Sequence, residues 1–499
     1  MNSAPRETVD VQTAQFVSCV VAKVLAFAQA KRIPLYVVGG AVRDALLGRP
    51  GPSTNLDLAI PGKALAVTRA LADALKGTYV CLDEEAGSAR VVVLDGPRRV
   101  EFDISDFRGP TIEADLAKRD FTINAMAVPL ERWVDERQWH AALLDPLHGR
   151  RDLEQRLLRA CFPGTFHDDP VRILRAFRFA VTCELTIAPE MGPLMAAAVG
   201  GLALVSGERV RDELFAILQT DRAAWALQEL NQVGALDILV PELIPGRGVD
   251  QGGYHHLDVF AHQLEAVAQG DRIFKDFAEF EAPLREPLAA YCAFELVEGR
   301  SRKALMKFAA LVHDVGKPAT KRVEADGDVW FIGHEHFGAT MVEALTQRLR
   351  LSNREHQLVY RLVLYHLRPG HLSREPQLTS RAIFRFFRDL EEDGPACLLV
   401  WWTDRMATRG PVSRLDQIDQ QRARLEELLR AYFFRAEEVV KPPRLVDGTQ
   451  LMQALALTPG AVVGRLLAAI EEAQAAGELR TPEEALAFAR KVLDAEHAR

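Results

Sequence analysis

The spacing of apolar residues changes near residue 150, and this change limits the folds open to the chain. Before that point, short apolar runs predict β-strands, separated by stretches with helical spacing at 11–31 and 64–77. After it, the strand signal fades and long helical patterns dominate. We therefore predict an α/β head, with a mixed sheet and flanking helices, followed by a mainly α-helical remainder. The predicted strands are residues 33–38, 55–60, 78–83, 89–95 and 99–107.

The length of 499 residues corresponds to about three domains at roughly 150 residues each. A content of 48% hydrophobic and 26% charged residues is typical of a soluble globular protein. The net charge of -8 gives no global positive field, so a nucleic-acid partner would need a local basic surface. The six cysteines are scattered singly and the N-terminus lacks a signal-peptide pattern, so we expect a cytoplasmic protein with no membrane partner.

Gly39 and Gly40 stand where a predicted strand meets a predicted helix. Without a Cβ in the way, backbone N–H groups at such a helix start can approach a phosphate, and Arg43 adds a positive charge. A tight strand–helix turn explains the glycine pair equally well.

Asn55 and Asp57 lie two residues apart on a predicted strand, so their side chains share one face. The last predicted strand adds Asp103, which lies beside them if the two strands pair. Oxygen ligands of this kind suit Mg²⁺, and two such ions can hold an attacking hydroxyl and a leaving pyrophosphate. The alternative interpretation is that these are polar residues at strand ends.

Nine of the 13 histidines fall between residues 255 and 371, where about three are expected by chance. Imidazoles together with carboxylates suit a divalent transition metal such as Ni²⁺, Mn²⁺ or Co²⁺, at which a bound water can hydrolyse a phosphoester. This region is therefore a candidate metal site. The candidate residues are His262, His313, Asp314, His334, His366 and, further along the chain, Asp404.

Six motifs occur in a fixed order along the first 245 residues or so. They are GGAVRDALLG (39–48), NLDLAI (55–60), KRDFTINAMA (118–127), DPLHGRRDL (145–153), DDPVRILRAFRF (168–179) and ERVRDEL (208–214). Their order and spacing resemble the bacterial class II tRNA nucleotidyltransferase and poly(A) polymerase family, which includes the CCA-adding enzymes. The resemblance implies an enzyme that adds C and A, or A alone, to tRNA 3′ ends from CTP and ATP.

The resemblance also implies roles for individual residues. The family's glycine turn falls on Gly39 and Gly40, with Arg43 contacting the triphosphate and Asp44 supporting the turn. Its Mg²⁺-binding pair falls on Asn55 and Asp57. Its RRDFTINA segment falls on Arg119, which is expected to bind the nucleotide, Asp120, which is expected to contact the ribose region, and Asn124.

A further family element, which pairs with the edge of the incoming base, falls on Asp168, Asp169 and Arg172. A carboxylate acceptor and a guanidinium fork can copy the hydrogen-bond pattern of a base-pairing partner. Arg175 and Arg178 follow at helical spacing and can reach phosphates from the same face. For any one of these residues, a solvated basic helix is the alternative.

Position 55 departs from the family pattern, which has Asp where this chain has Asn55. An amide oxygen can bind Mg²⁺ but brings no negative charge, so we expect a lower metal affinity. Three interpretations are open. In the first, activity persists through Asp57, Asp103 and the triphosphate. In the second, the head binds nucleotide or tRNA but is slow or inactive, and in the third, the substitution suits another metal. The retained phosphate- and base-reading residues favour activity.

The order of histidines and aspartates, with the string HDVGK at 313–317, resembles the HD phosphohydrolase superfamily. Such a domain follows the head in some bacterial members of the same family. The resemblance implies metal ligands at His262, His313, Asp314 and Asp404, with His334 and His366 as neighbours or as ligands of a second metal. An HD-like helical scaffold that offers an RNA surface without hydrolysis is the alternative.

Residues 361–436 contain 13 arginines, no lysine and 10 acidic residues. Arg381, Arg385 and Arg388 lie on a helical pattern with phenylalanines, from which they could contact an RNA backbone. A plain amphipathic helix explains them equally well.

We predict four segments: a nucleotidyltransferase head (1–150), a helical neck that recognises the base (151–245), an HD domain (246–438) and a helical tail (439–499). The predicted function is Mg²⁺-dependent, template-independent addition of C and A, or A alone, to the tRNA 3′ end, with a possible HD phosphohydrolase activity. The alternatives are a poly(A) polymerase, an HD phosphohydrolase with a degenerate head, and a noncatalytic RNA-binding protein. The expected partners are tRNA, ATP and CTP, and the oligomeric state is left open.

Overall fold

The computed structural model describes residues 11–49, 54–135, 138–375 and 377–497. The chain divides into two compact units, residues 1–205 and 206–499. The division falls inside the predicted neck, so residues 151–245 contribute to both units.

The first unit is built on a mixed β-sheet, as the sequence predicts. Its strands are β1 (Tyr36–Val38), β2 (Asn55–Ile60), β3 (Thr78–Asp83), β4 (Ser88–Asp95), β5 (Arg98–Asp106) and β6 (Ala127–Pro129), and a separate ribbon contains β7 (Leu157–Leu158) and β8 (Thr186–Ile187). The strand order in the sheet is β3-β4-β5-β2-β1-β6. Strands β2 and β5 run parallel and the other neighbours run antiparallel.

Helices flank this sheet and continue beyond it to the end of the first unit. They are α1 (Val11–Lys31), α2 (Gly40–Leu46), α3 (Ala64–Leu75), α4 (Ile112–Leu116), α5 (Leu130–Trp133), α6 (Gly149–Glu154), α7 (Thr165–Asp168), α8 (Arg172–Thr182) and α9 (Met191–Ala198). Short 3-10 helices occur at Thr122–Asn124, Trp139–Ala142 and Val199–Leu204.

The alternation of side chains along the strands decides which residues face the candidate site. On β2, Leu56 and Leu58 are buried in the core, whereas Asn55 and Asp57 point to the other face. On β4, Ala89 and Val91 are buried in the same way, and Arg90 lies between them on the opposite face. The polar face of the sheet is therefore fixed by the burial of its apolar face.

Helix α1 contains a segment, Gln12–Lys31, that is long and apolar enough to cross a membrane by length and composition alone. A core helix and a signal sequence pass the same test. In the structure, Val17, Val20 and Val24 of α1 are buried, and the helix packs against α3 and β5. These contacts are those of a helix that covers the sheet of the first unit.

The second unit is mainly helical. Its helices are α10 (Gly207–Leu218), α11 (Ala223–Gln232), α12 (Ala235–Leu239), α13 (Val259–Ile273), α14 (Ala282–Ala293), α15 (Arg302–Val312), α16 (Lys317–Thr320), α17 (His334–Arg348), α18 (Asn353–Tyr365), α19 (Arg368–Arg374), α20 (Ser380–Leu390), α21 (Gly394–Ala407), α22 (Ile418–Phe434), α23 (Gly448–Leu455), α24 (Ala461–Ala475) and α25 (Pro482–His497).

Short elements connect these helices. There are 3-10 helices at Pro241–Gly246, Glu391–Asp393 and Leu415–Gln417, a π-helix at Ala436–Val440, and two small antiparallel hairpins, β9 (Glu295–Val297) with β10 (Arg300–Ser301) and β11 (Arg322–Val323) with β12 (Val329–Trp330).

Two apolar cores can be distinguished within the second unit. Helices α13, α15, α18 and α21 pack on one another, and α17 packs on α18. The last three helices enclose a core of their own, which includes Leu451, Leu466 and Ile470. The first of these cores surrounds the histidine-rich region.

Candidate active site and metal centre

Asp57 is the central residue of the candidate site in the first unit. It stands on β2 directly opposite Asp103 on the parallel strand β5. The glycine turn after β1 approaches it closely, since a Cβ added to Gly39 would lie 3.2 Å from Oδ2 of Asp57. Gly39 has a φ of +71°, a conformation that glycine adopts without strain, and its missing Cβ leaves space beside the carboxylate.

Three guanidinium groups, those of Arg43, Arg119 and Arg175, act electrostatically on Asp57. Burial and the negative charge of Asp103 raise the pKa of Asp57, and the three arginines oppose that rise. We call Gly39, Asp57, Asp103 and these three arginines the head site. A carboxylate beside several guanidinium groups suits a ligand that carries both a cation and phosphate groups.

Two of these arginines are held in place by neighbouring side chains. Arg119 donates from Nε and Nη2 to Oδ2 of the buried Asp115, at 3.0 and 2.9 Å. Arg43 donates from Nη1 to Oδ1 of Asn124 at 2.7 Å, and from Nε and Nη2 to the two carboxylate oxygens of Asp44 at 3.1 and 2.9 Å. The predicted turn residue Asp44 therefore orients Arg43. Gly40 begins α2, and a Cβ there would lie 3.5 Å from Nη2 of Arg43.

Asp120 holds the third arginine. Its Oδ2 accepts from Nε and Nη2 of Arg175 at 3.0 and 2.9 Å, and its Oδ1 accepts from the backbone N–H of Phe121 and from Nδ2 of Asn124. Burial alone would raise the pKa of Asp120, but Arg175 and these hydrogen bonds hold it below its usual range. Asp120 thus stays charged and fixes Arg175. The predicted contact of Asp120 with the ribose stays a prediction.

Asp103 does not present a free carboxylate. Arg90, which stands opposite it on β4, donates from Nε to Oδ1 at 2.6 Å and from Nη2 to Oδ2 at 2.8 Å. The remaining nitrogen, Nη1, lies 2.7 Å from Oε2 of Glu101. Glu101 in turn stands opposite Asn55, and Arg99 forms a second ion pair with it.

The predicted base-reading residues lie where α7 gives way to α8. Arg172 begins α8, and its Nε is 3.8 Å from Oδ2 of Asp169, while its Nη1 donates to the carbonyl oxygen of Thr165 at 3.3 Å. The neighbouring Asp168 is exposed. The predicted acceptor and donor are therefore adjacent in space as well as in sequence.

Phe179 organises the arginines of this region. The guanidinium carbons of Arg178, Arg43 and Arg175 lie 4.1, 4.9 and 5.5 Å from the centre of its ring. These distances fall within the range of cation–π attraction, so the ring helps to hold the three guanidinium groups in place.

A second candidate site lies buried in the second unit, where α13, α15, α17, α18 and α21 meet. We call its six residues the histidine cluster: His262, His313, Asp314, His334, His366 and Asp404. They form two groups, His262 with His313 and Asp404, and Asp314 with His334 and His366; within each group the ligand atoms lie within 4.8 Å of one another. The structure thus brings together every ligand that the sequence predicts for this site.

Asp314 lies between the two groups. Its Oδ2 is 3.0 Å from Nε2 of His313, and its Oδ1 is 3.2 Å from Nε2 of His334. In the other group, Nε2 of His262 lies 2.9 Å from Oδ1 of Asp404. A carboxylate that faces both groups through different oxygens can bridge two metal ions.

Backbone carbonyls set the orientation of three imidazoles. Nδ1 of His313, His334 and His366 donates to the carbonyl oxygens of Ala310, Phe331 and Val363 at 2.9, 2.7 and 2.7 Å. A carbonyl oxygen only accepts, so Nδ1 carries a proton and Nε2 points into the cluster, as in metal-binding histidines. Nε2 of His334 and Nε2 of His366 are only 3.2 Å apart, a separation that favours a shared cation between them.

The charges of the histidine cluster also favour the binding of a cation. Burial by itself would lower the pKa of His313, but Asp314 and Asp404 raise it to about 10. Burial and the charges of His313 and His334 lower the pKa of His366 to about 3. Lys317 places its Nζ 2.6 Å from Oδ2 of Asp314. A bound metal would supply the charge that the proton on His313 supplies without it.

Sequence reasoning missed several residues that shape both sites: Arg90, Glu101, Asp115, Phe179 and His255. The alternation of residues 89–95 placed Arg90 on a polar face, but only strand pairing sets it opposite Asp103. The ring of His255 lies 4.6 Å from that of His262, and Nδ1 of each is buried without a hydrogen bond among the described residues. No signal in the sequence separates His255 from the other histidines.

Four family models match the chain. They are the poly A polymerase head domain at 35–159, the probable RNA and SrmB-binding site of polymerase A at 184–246, the HD domain at 259–399 and the putative tRNA nucleotidyltransferase domain 2 at 341–489. The first covers every residue of the head site except Arg175, and the third covers every residue of the histidine cluster except Asp404.

Similar proteins match over nearly the whole length. The A-adding tRNA nucleotidyltransferase of Deinococcus radiodurans is 37% identical, over 91% of this chain and 94% of its own. The CC-adding tRNA nucleotidyltransferase of Thermus thermophilus is 34% identical, over 91% of this chain and 92% of its own. The fold resembles that of the Thermotoga maritima CCA-adding enzyme complexed with tRNA, with a TM-score of 0.59, 21% identity, and coverage of 98% of this chain and 97% of that one.

Proposed function

Since this chain belongs to the class II tRNA nucleotidyltransferase and poly(A) polymerase family and carries a C-terminal HD domain, we propose that it adds C and A, or A alone, to the 3′ end of tRNA from CTP and ATP. The observation that carries this proposal is the head site, in which Asp57 faces a glycine turn and three arginines. A nucleoside triphosphate with a divalent cation has the charges that this arrangement complements.

Asp57 of the head site and the neighbouring Asn55 fit Mg²⁺. Asp57 offers a carboxylate, Asn55 offers an amide oxygen on the same face of β2, and the missing Cβ of Gly39 leaves room next to Oδ2 of Asp57. When bound, Mg²⁺ lowers the pKa of the attacking hydroxyl and neutralises charge on the phosphates.

The protein residues bind and orient the nucleotide. Arg43, Arg119 and Arg175, each held by an aspartate, are already ordered for a triphosphate, so little side-chain entropy is lost on binding. Asp169 and Arg172 provide an acceptor and a donor fork for a base edge. With these groups in place, the 3′ hydroxyl of the RNA attacks the α-phosphate in line and pyrophosphate leaves.

Incorporation of labelled nucleotides tests this proposal. tRNA that lacks CCA, ends in CC, or is intact is incubated with Mg²⁺ and labelled CTP or ATP, and product lengths are read on a sequencing gel. We expect extension to stop at the mature end, whereas a poly(A) polymerase would extend further. Asp57→Asn should reduce incorporation more than about 100-fold, since outer-shell substitutions at metal sites already cost about 10- to 100-fold. Asp95→Asn, at the far end of β4, is the matched control.

We also propose that the histidine cluster hydrolyses phosphoesters. This second activity is supported by Asp314, which faces both groups of potential ligands. Nitrogen and carboxylate ligands suit Ni²⁺, Mn²⁺ or Co²⁺, and a metal there would activate a bound water. Lys317 lies beside Asp314, where it can bind a phosphate oxygen.

Hydrolysis of 2′,3′-cyclic AMP with each of these metals tests the second activity. His313→Ala should abolish phosphoester hydrolysis, whereas His336→Ala should leave it intact, because the His336 side chain is 75% exposed and lies outside the cluster. Neither substitution should change nucleotide incorporation. Hydrolysis without any incorporation would favour a phosphohydrolase with a degenerate head, and neither activity would favour a noncatalytic RNA-binding protein.

The cytoplasm is the location that we propose for this activity. The six cysteines are all free thiols, two of them exposed, as expected in a reducing compartment.

A further inference from the structure

We infer that the head site holds one divalent cation rather than a pair, because Arg90 occupies the carboxylate that a second ion would need. This inference rests on the proposed nucleotidyltransferase function of the head site. It concerns the number of ions and the role of Arg90, neither of which follows from the presence of the family motifs.

The first observation is the pairing of Arg90 with Asp103. Arg90, Asp103 and Asp57 stand opposite one another on the adjacent strands β4, β5 and β2. Both carboxylate oxygens of Asp103 accept from Arg90, at 2.6 and 2.8 Å. The side chain of Asp103 is 18% exposed and that of Arg90 is 27% exposed, so the pair is partly shielded from water. A metal ion would have to displace a bidentate guanidinium to use Asp103 in the same way.

The second observation is the composition of the next row of residues across the sheet, in which Asn55 on β2 stands opposite Glu101 on β5. Asn55 provides an amide where the family pattern has a carboxylate, and the opposing Glu101 is engaged by Arg90 and Arg99. Of the acidic side chains in these two rows, only Asp57 lacks a guanidinium in direct contact among the described residues.

The charge on this face of the sheet also favours a single ion. Asp57, Glu101 and Asp103 carry three negative charges, and Arg90 and Arg99 carry two positive charges, so this face of the sheet has a net charge of -1. Two Mg²⁺ ions at the usual spacing of about 4 Å need several shared carboxylates to offset their repulsion. One Mg²⁺, by contrast, is commonly held by one or two carboxylates together with substrate phosphates. Asp57 and a triphosphate meet that requirement.

Arg90 is therefore a positioning residue. It fixes Asp103 beside Asp57 and supplies positive charge next to the carboxylate that a second ion would need. Its three guanidinium nitrogens are all engaged with Asp103 and Glu101, so the charge stays at this point.

Counting bound Mn²⁺ by electron paramagnetic resonance tests the inference. The full chain carries Asp314→Ala, so that the histidine cluster does not contribute, and a nonhydrolysable ATP analogue is added at equimolar concentration. The ions lost when Asp57→Asn is introduced into this background are those of the head site. We expect a loss of one Mn²⁺ per chain, and a loss of two would overturn the inference.

The role of Arg90 is tested in the same background. The double substitution Asn55→Asp with Arg90→Gln adds a carboxylate on β2 and removes the guanidinium from Asp103, and we expect it to raise the count from one Mn²⁺ to two. Asn55→Asp with Arg98→Gln is the matched control, because Arg98 lies at the end of β5 away from Asp103, and it should keep one ion. If the double variant keeps one ion while its circular dichroism melt matches the parent, the role assigned to Arg90 is wrong.

The failure of the proposed function would look different. A chain that incorporates no nucleotide and loses no Mn²⁺ with Asp57→Asn contradicts the function of the head site itself. A chain that incorporates nucleotide and loses two ions, or none, contradicts only the inference of a single ion.

Discussion

Gly39 shows how one missing side chain shapes the head site. It combines a positive φ of +71° with a position where a Cβ would lie 3.2 Å from Oδ2 of Asp57. The two properties have separate consequences, because a positive φ strains any L-residue whereas the close approach affects only the carboxylate.

Gly39→Ala should therefore reduce nucleotide incorporation more than it reduces stability. We expect a loss of stability of roughly 1–2 kcal/mol from the backbone strain, together with a larger loss of incorporation because the new methyl group fills the space beside Asp57. Gly96→Ala is the matched control, since Gly96 has a φ of +60° and open space around its Cβ position. Equal incorporation by the two variants, measured at matched thermal stability, would contradict this role of Gly39.

At the scale of single elements, helix α15 carries a buried ion pair and ends directly before His313 of the histidine cluster. Lys307, in the middle of the helix, is fully buried and donates to Oδ1 of Asp271 on α13 and to the carbonyl oxygen of Thr220, both at 2.5 Å. Burial lowers the pKa of Lys307 to about 8, even though Asp271 opposes the shift. Oδ2 of Asp271 also accepts from the backbone N–H of Ala224, near the start of α11.

Lys307→Met should lower the free energy of unfolding by about 3–5 kcal/mol, because it leaves Asp271 buried without a counter-charge. Lys303→Met, one turn earlier on the same helix, removes a more exposed ion pair with Asp221 and should cost at most about 1 kcal/mol. Urea unfolding of the full chain, followed by circular dichroism, compares the two. A similar cost for both variants would show that burial of the Lys307 pair does not matter.

Helix α20 illustrates a second effect at this scale. Its phenylalanines Phe384, Phe386 and Phe387 are buried, as its amphipathic pattern indicates. The predicted RNA-contacting residues Arg381, Arg385 and Arg388 each form an ion pair with Glu472 on α24. In this structure the three arginines connect α20 to α24 through Glu472. An RNA backbone would therefore have to compete with Glu472 for these arginines.

At the scale of the whole molecule, the two compact units offer different kinds of potential metal ligand. The head site offers oxygen atoms, as Mg²⁺ prefers, whereas the histidine cluster offers imidazole nitrogens and carboxylates, as transition metals prefer. The histidine cluster is also the more deeply buried of the two sites.

Removal of metal should accordingly lower the thermal stability of the chain. After EDTA treatment, added Mn²⁺ at about 100 times its dissociation constant should stabilise the folded state by about 2.7 kcal/mol, or about 3–5 °C in melting temperature. The shift, followed by differential scanning fluorimetry without nucleotide, should disappear in His313→Ala and persist in His336→Ala. An undiminished shift in His313→Ala would place the stabilising metal outside the histidine cluster.

Much of the architecture could be predicted from the periodicity of apolar residues and from the residues at which helices and strands end. The strand predicted at 55–60 is β2, and the helix predicted at 11–31 is α1, because alternation and helical spacing are local properties of the chain. The six residues of the histidine cluster could be named because a metal site requires particular residue types, which few other features of a helical domain require.

The sequence by itself determined the elements, the glycine turn and the types of ligand, because each of these depends on neighbouring residues and on the chemistry of single side chains. Only the tertiary structure decided which charges meet: Arg90 with Asp103, Arg175 with Asp120, and Asp314 with both halves of the histidine cluster. These partners are separated along the chain, and strand register and helix packing bring them together. At the head site, the sequence motif alone is compatible with two metal ions, whereas the pairing of Arg90 with Asp103 in the structure suits one.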